Sequence, residues 1–249
     1  REGQLGKEWL EEAGVDTTHY FMSPEVKTDV GVVIIRDDGE NMVIGSPVHP
    51  CYMTFAEVKK AVDDFPGAGY FVSGLEVDQE IPLHACRYAK ERGLVTLLNA
   101  SPLLKKPAEP IEYVDYLFVN ELEGMELAGT EDHKNWRRTA EAVWQRCRPR
   151  VVVMTLGSRG CVLCERGECT FFPSYEVTCV DTVAAGDGFL AAFTAGLVWG
   201  LDHGQAADWG NRYAAVVVER EGAILSYPAL EEARRLSANL KACCICEGV

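Results

Sequence analysis

The strongest constraint in this sequence is an alternation. Runs of four or five mostly apolar residues, at 70–73, 94–98, 116–119 and 151–154, recur between segments with helical spacing at 54–65, 82–92, 121–128 and 136–147. A strand that is apolar throughout, as Val151-Val152-Val153-Met154 is, has no face to give to water, so it belongs inside a sheet covered on both sides. Parallel neighbours need a crossover of about a dozen residues, and the helical segments supply it. The pattern predicts an α/β fold, a three-layer α/β/α sandwich around a mostly parallel central sheet. In such sheets ligands sit where the carboxyl ends of the strands open.

Further helices are predicted over 6–13, closed by Gly14, and over 186–197, 205–219 and 228–240. Thr54 and Glu57 form a capping-box pair, and Gly93 and Gly129 stop the helices at 82–92 and 121–128. Two hairpins stand out. Strands at 30–36 and 41–44 flank the turn signal Asp37-Asp38-Gly39 and are expected to project as a small subsidiary sheet. A second hairpin joins strands around 161–164 and 170–172. No repeat or low-complexity linker interrupts the chain, so residues 1–249 read as a single domain.

Charge narrows the partners. With 38 acidic and 24 basic residues the net charge is −14, which repels a phosphate backbone and argues against nucleic acid. No apolar run approaches the roughly eighteen residues that span a bilayer, so no membrane is expected. The ten cysteines include Cys161 and Cys164 in a Cys-x-x-Cys. They lie on an alternating strand and so point to opposite faces, which favours ordinary strand cysteines over a metal site. Cys243, Cys244 and Cys246 read as a mobile tail of free thiols, and the cysteines together imply a reducing, cytoplasmic setting. The five histidines show no ligand spacing and read as surface or loop residues.

The stretch that carries chemistry is Asp181-Thr182-Val183-Ala184-Ala185-Gly186-Asp187, which runs into an apolar helix of small residues. Small side chains let the backbone turn tightly into the helix. The first amides of a helix lack partners and, with the helix dipole, form an anion site. Asp187, in the first turn, is placed to take a proton from an attacking hydroxyl. Read alone, it is equally well an N-terminal acid.

This segment resembles the second signature of the ribokinase, or PfkB, family of carbohydrate kinases. Other segments match that family in order: Leu75-Glu76, Asn99-Ala100-Ser101-Pro102, Asn120-Glu121-Leu122-Glu123, Thr155-Leu156-Gly157-Ser158-Arg159-Gly160, and Arg220-Glu221-Gly222-Ala223 followed by Ser226 and Pro228. The resemblance runs from about Gly6 to the last helix. It implies a ribokinase-like fold whose 28–44 hairpin is part of a β lid, and an ATP-dependent sugar kinase with D-ribose as the foremost substrate.

The resemblance also implies roles. Asp187 would be the general base, with Ala185, Gly186 and Asp187 as an anion hole. Asn120, Thr155, Gly157, Ser158, Arg159, Gly160, Gly186 and Asn211 would bind ATP. Glu76, with Asp187, would contact the sugar. Glu123 would organise Mg²⁺ through water. Asp181, Ser226 and the carbonyls of Val183, Val217, Arg220 and Gly222 would hold K⁺. Asn120 and Glu123 also fit a plain capping box, the 155–160 segment a plain turn, and Glu76 an exposed acid at a strand end.

The chain opens without Met, at a point the resemblance places after the family's first strand and glycine-rich sugar segment, so an upstream segment is expected. A chain without it is expected to be weak or inactive. Ser46-Pro47-Val48-His49-Pro50 stands where the family has Ala-Gly-Ala-Asn, and Gly188 where it has a bulkier residue. A kinase for fructose, a ketodeoxy sugar acid or a nucleoside, and a non-catalytic nucleotide-binding relative, are the alternatives. A homodimer through the lid is the assembly that analogy suggests.

Overall fold

A computed structural model of the chain describes residues 2–24, 28, 31–35, 41–45, 53–76, 79–131, 135–237 and 240–243. Along the chain run α1 (Glu2–Glu12), β1 (Val32–Ile35), β2 (Asn41–Ile44), α2 (Phe55–Asp64), β3 (Tyr70–Gly74), α3 (Glu80–Glu91), β4 (Val95–Asn99) and β5 (Tyr116–Asn120). Then come α4 (Glu121–Ala128), α5 (Trp136–Cys147), β6 (Val151–Thr155), β7 (Gly160–Glu165), β8 (Glu168–Pro173), α6 (Ala185–Val198), α7 (His203–Val217) and α8 (Leu230–Ser237).

Six strands form one sheet in the order β3-β4-β5-β6-β7-β8. The first four run parallel, and β7 and β8 continue the sheet antiparallel. Successive side chains in a strand point to opposite faces, and the apolar runs use both. Leu98, Leu117, Val119, Val152 and Met154 pack on one side with residues of α3, α4 and α5. Leu97, Tyr116, Phe118, Val151 and Val153 pack on the other with α6 and α7. This is the three-layer arrangement that the alternation predicts. Phe193 of α6 is fully buried, with ring centroids 5.6 Å from Tyr116 and 5.3 Å from Phe118. Its truncation to Ala is expected to cost about 3–5 kcal/mol.

Helix limits shift for local reasons. The first helix begins at Glu2 rather than residue 6, and Tyr20 donates its hydroxyl to Gly3 O at 2.9 Å inside that early turn. The seventh begins at His203 rather than 205, because Asp202 and Gln205 form a reciprocal capping box. The last runs from Leu230 to Ser237, within the expected 228–240.

β1 and β2 pair antiparallel as a separate two-stranded sheet, with Val33 opposite Val43. The turn expected at 37–39 lies outside the described residues. In the second hairpin Cys161 and Cys164 do face opposite sides of the sheet, one in each core. Cys164 departs from the expectation of ordinary strand cysteines. It lies directly opposite Cys169 in the β7–β8 register and is disulfide-bonded to it. The two strands are joined by Arg166 and Gly167, both left-handed at φ 54° and 83°, the geometry of a tight two-residue hairpin turn.

Candidate active site

At the carboxyl end of the sheet lies a cavity of about 650 Å³, within the range of small-molecule sites. Its wall includes Asn120 at the end of β5, Thr155 at the end of β6, and Gly157, Ser158 and Gly160 on the turn that follows. Ala185 and Gly186 at the start of α6, and Asn211 on α7, complete it. Eight of the residues singled out from sequence thus line one cavity.

The turn after β6 is built on glycine. Gly160 has φ +119°, and a Cβ there would lie 2.1 Å from Phe172 O. No side chain fits, so β7 can press its first residue against the end of β8. Gly157 is left-handed at φ +57°. Both glycines, with Ser158 between them, line the cavity.

The start of α6 is unusual. Its N-cap, Ala184, is left-handed at φ 61° with no side-chain cap. A non-glycine residue in that region is strained by roughly 1–2 kcal/mol. The N–H of Ala185 turns back to Thr182 O at 3.3 Å. The amides of Gly186 and Asp187 take no backbone acceptor among the described residues. Asp187 stands exposed in the first turn, yet the protein atoms around its carboxyl desolvate it and raise its pKa above the ordinary aspartate value. Tyr227 donates its hydroxyl to Ala184 O at 3.4 Å. Burial first, and then the nearby charge of Asp187, push the Tyr227 phenol up to about 12.

Asn120 and Glu123 form the capping box of α4. Asn120 Oδ1 accepts from Glu123 N at 2.9 Å, and Glu123 Oε2 accepts from Asn120 N at 2.8 Å. Glu123 is buried behind the cavity wall, and desolvation raises its pKa against the hydrogen bonds of Asn120 and Ser101. Each carboxylate oxygen keeps a second lone pair, so a water-mediated contact to a hydrated cation fits this site. Arg159 does not line the cavity; its guanidinium pairs with Glu121 at the rim. Asn211 lines it, but donates its amide to Phe172 O and Pro173 O at 3.2 and 3.1 Å, tying α7 to the end of β8.

Behind the start of α6 lies Asp181, only 1% exposed. Its carboxylate accepts from Val183 N and Gly222 N, both at 2.9 Å, so it draws together two of the segments read as cation ligands. Ser226 is fully buried and donates its hydroxyl to Ala223 O at 2.6 Å in the same loop. Val217 O already accepts from Arg220 N at 3.1 Å, and the Arg220 guanidinium pairs with Glu232. A buried carboxylate held by neutral amides, with no cationic side chain paired to it among the described residues, is a fitting place for a hard monovalent cation.

Glu76 stands exposed just beyond β3, with its carboxylate folded over Gly74, and does not line the cavity. Sequence reasoning missed Ala214 and Ala215, which line it from α7, and Val218 just after that helix. Their spacing of three, four and seven from Asn211 is the signal that would have found them. It also missed the wall formed by Ser174, Tyr175 and Glu176, where no periodic pattern exists to read.

Residues 1–230 match the model of the pfkB family carbohydrate kinases. The ribokinase of Staphylococcus aureus is 29% identical over 227 residues, covering 90% of this chain and 74% of the relative. The crystal structure of ribokinase from Thermotoga maritima superposes with a TM-score of 0.76 at 26% identity, over 95% of this chain and 77% of that one. The structure of Arabidopsis thaliana ribokinase complexed with ribose and ATP gives a TM-score of 0.69 at 25% identity, over 83% and 68%. Among the described residues no helix is long and apolar enough to cross a membrane.

Proposed function

This chain belongs to the pfkB family of carbohydrate kinases, and on that premise we propose that it transfers the γ-phosphoryl group of ATP to the 5-hydroxyl of D-ribose, giving ribose 5-phosphate and ADP. One observation carries the reading. A single cavity joins the glycine turn after β6 to the uncapped start of α6, where Asp187 stands one residue beyond the lining Gly186.

The ribose hydroxyl attacks the γ-phosphorus, and its proton passes to the Asp187 carboxylate. The bond between the γ-phosphorus and the β–γ bridging oxygen breaks, and its electron pair leaves with ADP. The Gly186 and Asp187 amides, with the α6 dipole, face charge that grows on the phosphoryl oxygens; positioning and charge stabilisation are most of what such a transfer needs. Desolvation makes Asp187 a stronger base than an ordinary aspartate, which suits proton abstraction near neutral pH.

Asn120 and Glu123 would hold hydrated Mg²⁺, and Asp181, Ser226 and the surrounding carbonyls would hold K⁺. Bound there, Mg²⁺ would offset phosphate charge, and K⁺ would offset the Asp181 carboxylate behind the start of α6. Ser158, Gly157 and Gly160 are read as nucleotide contacts, and Glu76 as a sugar contact from the edge of the sheet. The β1–β2 hairpin, with Val32, Ile34, Met42 and Ile44 exposed, is read as part of a lid through which two copies pair. The whole chain is read as one cytoplasmic domain.

The test is ATP-dependent phosphorylation across ribose, deoxyribose, fructose, a ketodeoxy sugar acid and adenosine, with and without K⁺. Preferred turnover of ribose, stimulated by K⁺, supports the reading. ATP binding with no turnover of any sugar, both by this chain and by one that carries the expected upstream segment, would overturn it in favour of a nucleotide-binding relative.

A further inference from the structure

The family match ends at residue 230, and the chain returns to the cavity beyond that point. After α8, residues 241–243 lie alongside residues 174–176. Ala242 bridges Tyr175 antiparallel, Cys243 N donates to Ser174 O at 2.9 Å, and Glu176 N donates to Lys241 O at 2.9 Å. The Cys243 sulfur lies 4.0 Å from Ser158 O, on the turn already read as a nucleotide contact. This corrects the expectation that Cys243 belongs to a loose tail; Cys244 and Cys246 lie outside the described residues.

The segment docks on a firm base. Tyr175 is buried, its hydroxyl bonds Asp208 of α7, and Arg212 lies 4.4 Å over its ring while pairing with Asp208 at 2.8 Å. Ser174, Tyr175, Glu176 and Cys243 all line the cavity that holds Thr155, Gly157 and Gly186. The cavity keeps about 650 Å³ with the segment in place, room for a small molecule. The segment is therefore a wall and not a plug.

We propose that residues 241–243, beyond the stretch that the family model matches, form a nucleotide-binding wall whose docking on residues 174–176 is needed for full nucleotide affinity. The inference rests on the reading of this cavity as the nucleotide site. Two backbone hydrogen bonds hold the segment, as when a short strand is added to a sheet edge. Nucleotide contact with the docked segment stabilises the docked state, so binding and docking are linked.

Cys243→Pro removes the N–H that bonds Ser174 O, whereas Cys243→Ala keeps both backbone bonds and removes only the thiol. ADP titration by calorimetry is expected to show affinity roughly five- to tenfold weaker for Cys243→Pro and within about twofold of wild type for Cys243→Ala. Hydrogen exchange on the wild-type chain supplies a second measurement, with ADP expected to slow exchange at the Cys243 and Glu176 amides. Equal ADP affinity in Cys243→Pro and wild type, or exchange at 241–243 unmoved by bound ADP, overturns the proposal alone. No ADP binding by the wild-type chain overturns the nucleotide reading and this proposal with it. If Cys243→Pro fails to fold, the wild-type exchange experiment decides.

Discussion

The two helices of one layer, α6 and α7, begin in opposite ways. They are 14 and 15 residues long and cover the same face of the sheet. The start of α7 carries a capping box: Asp202 Oδ1 accepts from Gln205 N at 2.8 Å, and Gln205 Oε1 accepts from Asp202 N at 3.1 Å. The start of α6 has no side-chain cap, a left-handed Ala184, and two amides without a backbone acceptor among the described residues. Nearby, at the amino ends of the strands, Tyr116 and His203 are also satisfied, with hydroxyl and ring nitrogen 2.9 Å apart. The contrast is local to the two helix starts: α7 has a side-chain cap, and α6 begins without one beside the candidate site. An unspent helix start beside a cavity is a stronger mark of chemistry than a charged residue alone.

The most severe way to break this comparison is Asp187→Asn. Turnover should fall by about a hundredfold or more with ADP affinity nearly unchanged, since the amide cannot take the proton. Wild-type turnover in that variant would return Asp187 to a helix-start acid. The same residue sets a pH limb. Because its folded pKa is raised, kcat/KM should fall, as pH is lowered, through a midpoint above that of an ordinary aspartate. A pH–rate profile reads it, and a midpoint at the ordinary value would contradict the desolvated site.

Next in size is Gly186→Ala. A Cβ there meets nothing within 4 Å, so the fold should tolerate it while the methyl crowds the anion site. Turnover is expected to drop about tenfold, roughly 1.4 kcal/mol, with the melting temperature unchanged. Asp202→Ala supplies the opposite result at α7, a loss of about 1 kcal/mol in stability with kcat preserved. Urea denaturation beside a turnover assay separates the two. The smallest effect should be Ala184→Gly, which relieves the left-handed strain and stabilises the fold by about 0.5–1 kcal/mol in the same denaturation assay. Destabilisation instead would mean that the Ala184 methyl packs usefully.

The central sheet was legible because its strands are apolar on both faces and their flanking helices carry ordinary stop signals. Asp187 and the 155–160 turn were legible because glycines and small residues mark where backbone must approach a ligand. The rest depends on contacts distant in sequence. Nothing local in Glu121 predicts that it takes the Arg159 guanidinium away from the cavity. Ser174 to Glu176 have no periodicity, and their part in the wall depends on how β8 leaves the sheet. The Cys164–Cys169 pair follows from a hairpin register that only the left-handed turn at Arg166 and Gly167 fixes.

That turn has a practical consequence. Arg166 is exposed, and the turn lies at the far end of the β7–β8 hairpin from Gly160 and the cavity. It offers an insertion point where a short reporter peptide or fluorophore loop meets solvent, anchored by two strands that continue into the nucleotide wall. A probe placed there would report on the hairpin's motions while leaving the chemistry at α6 untouched.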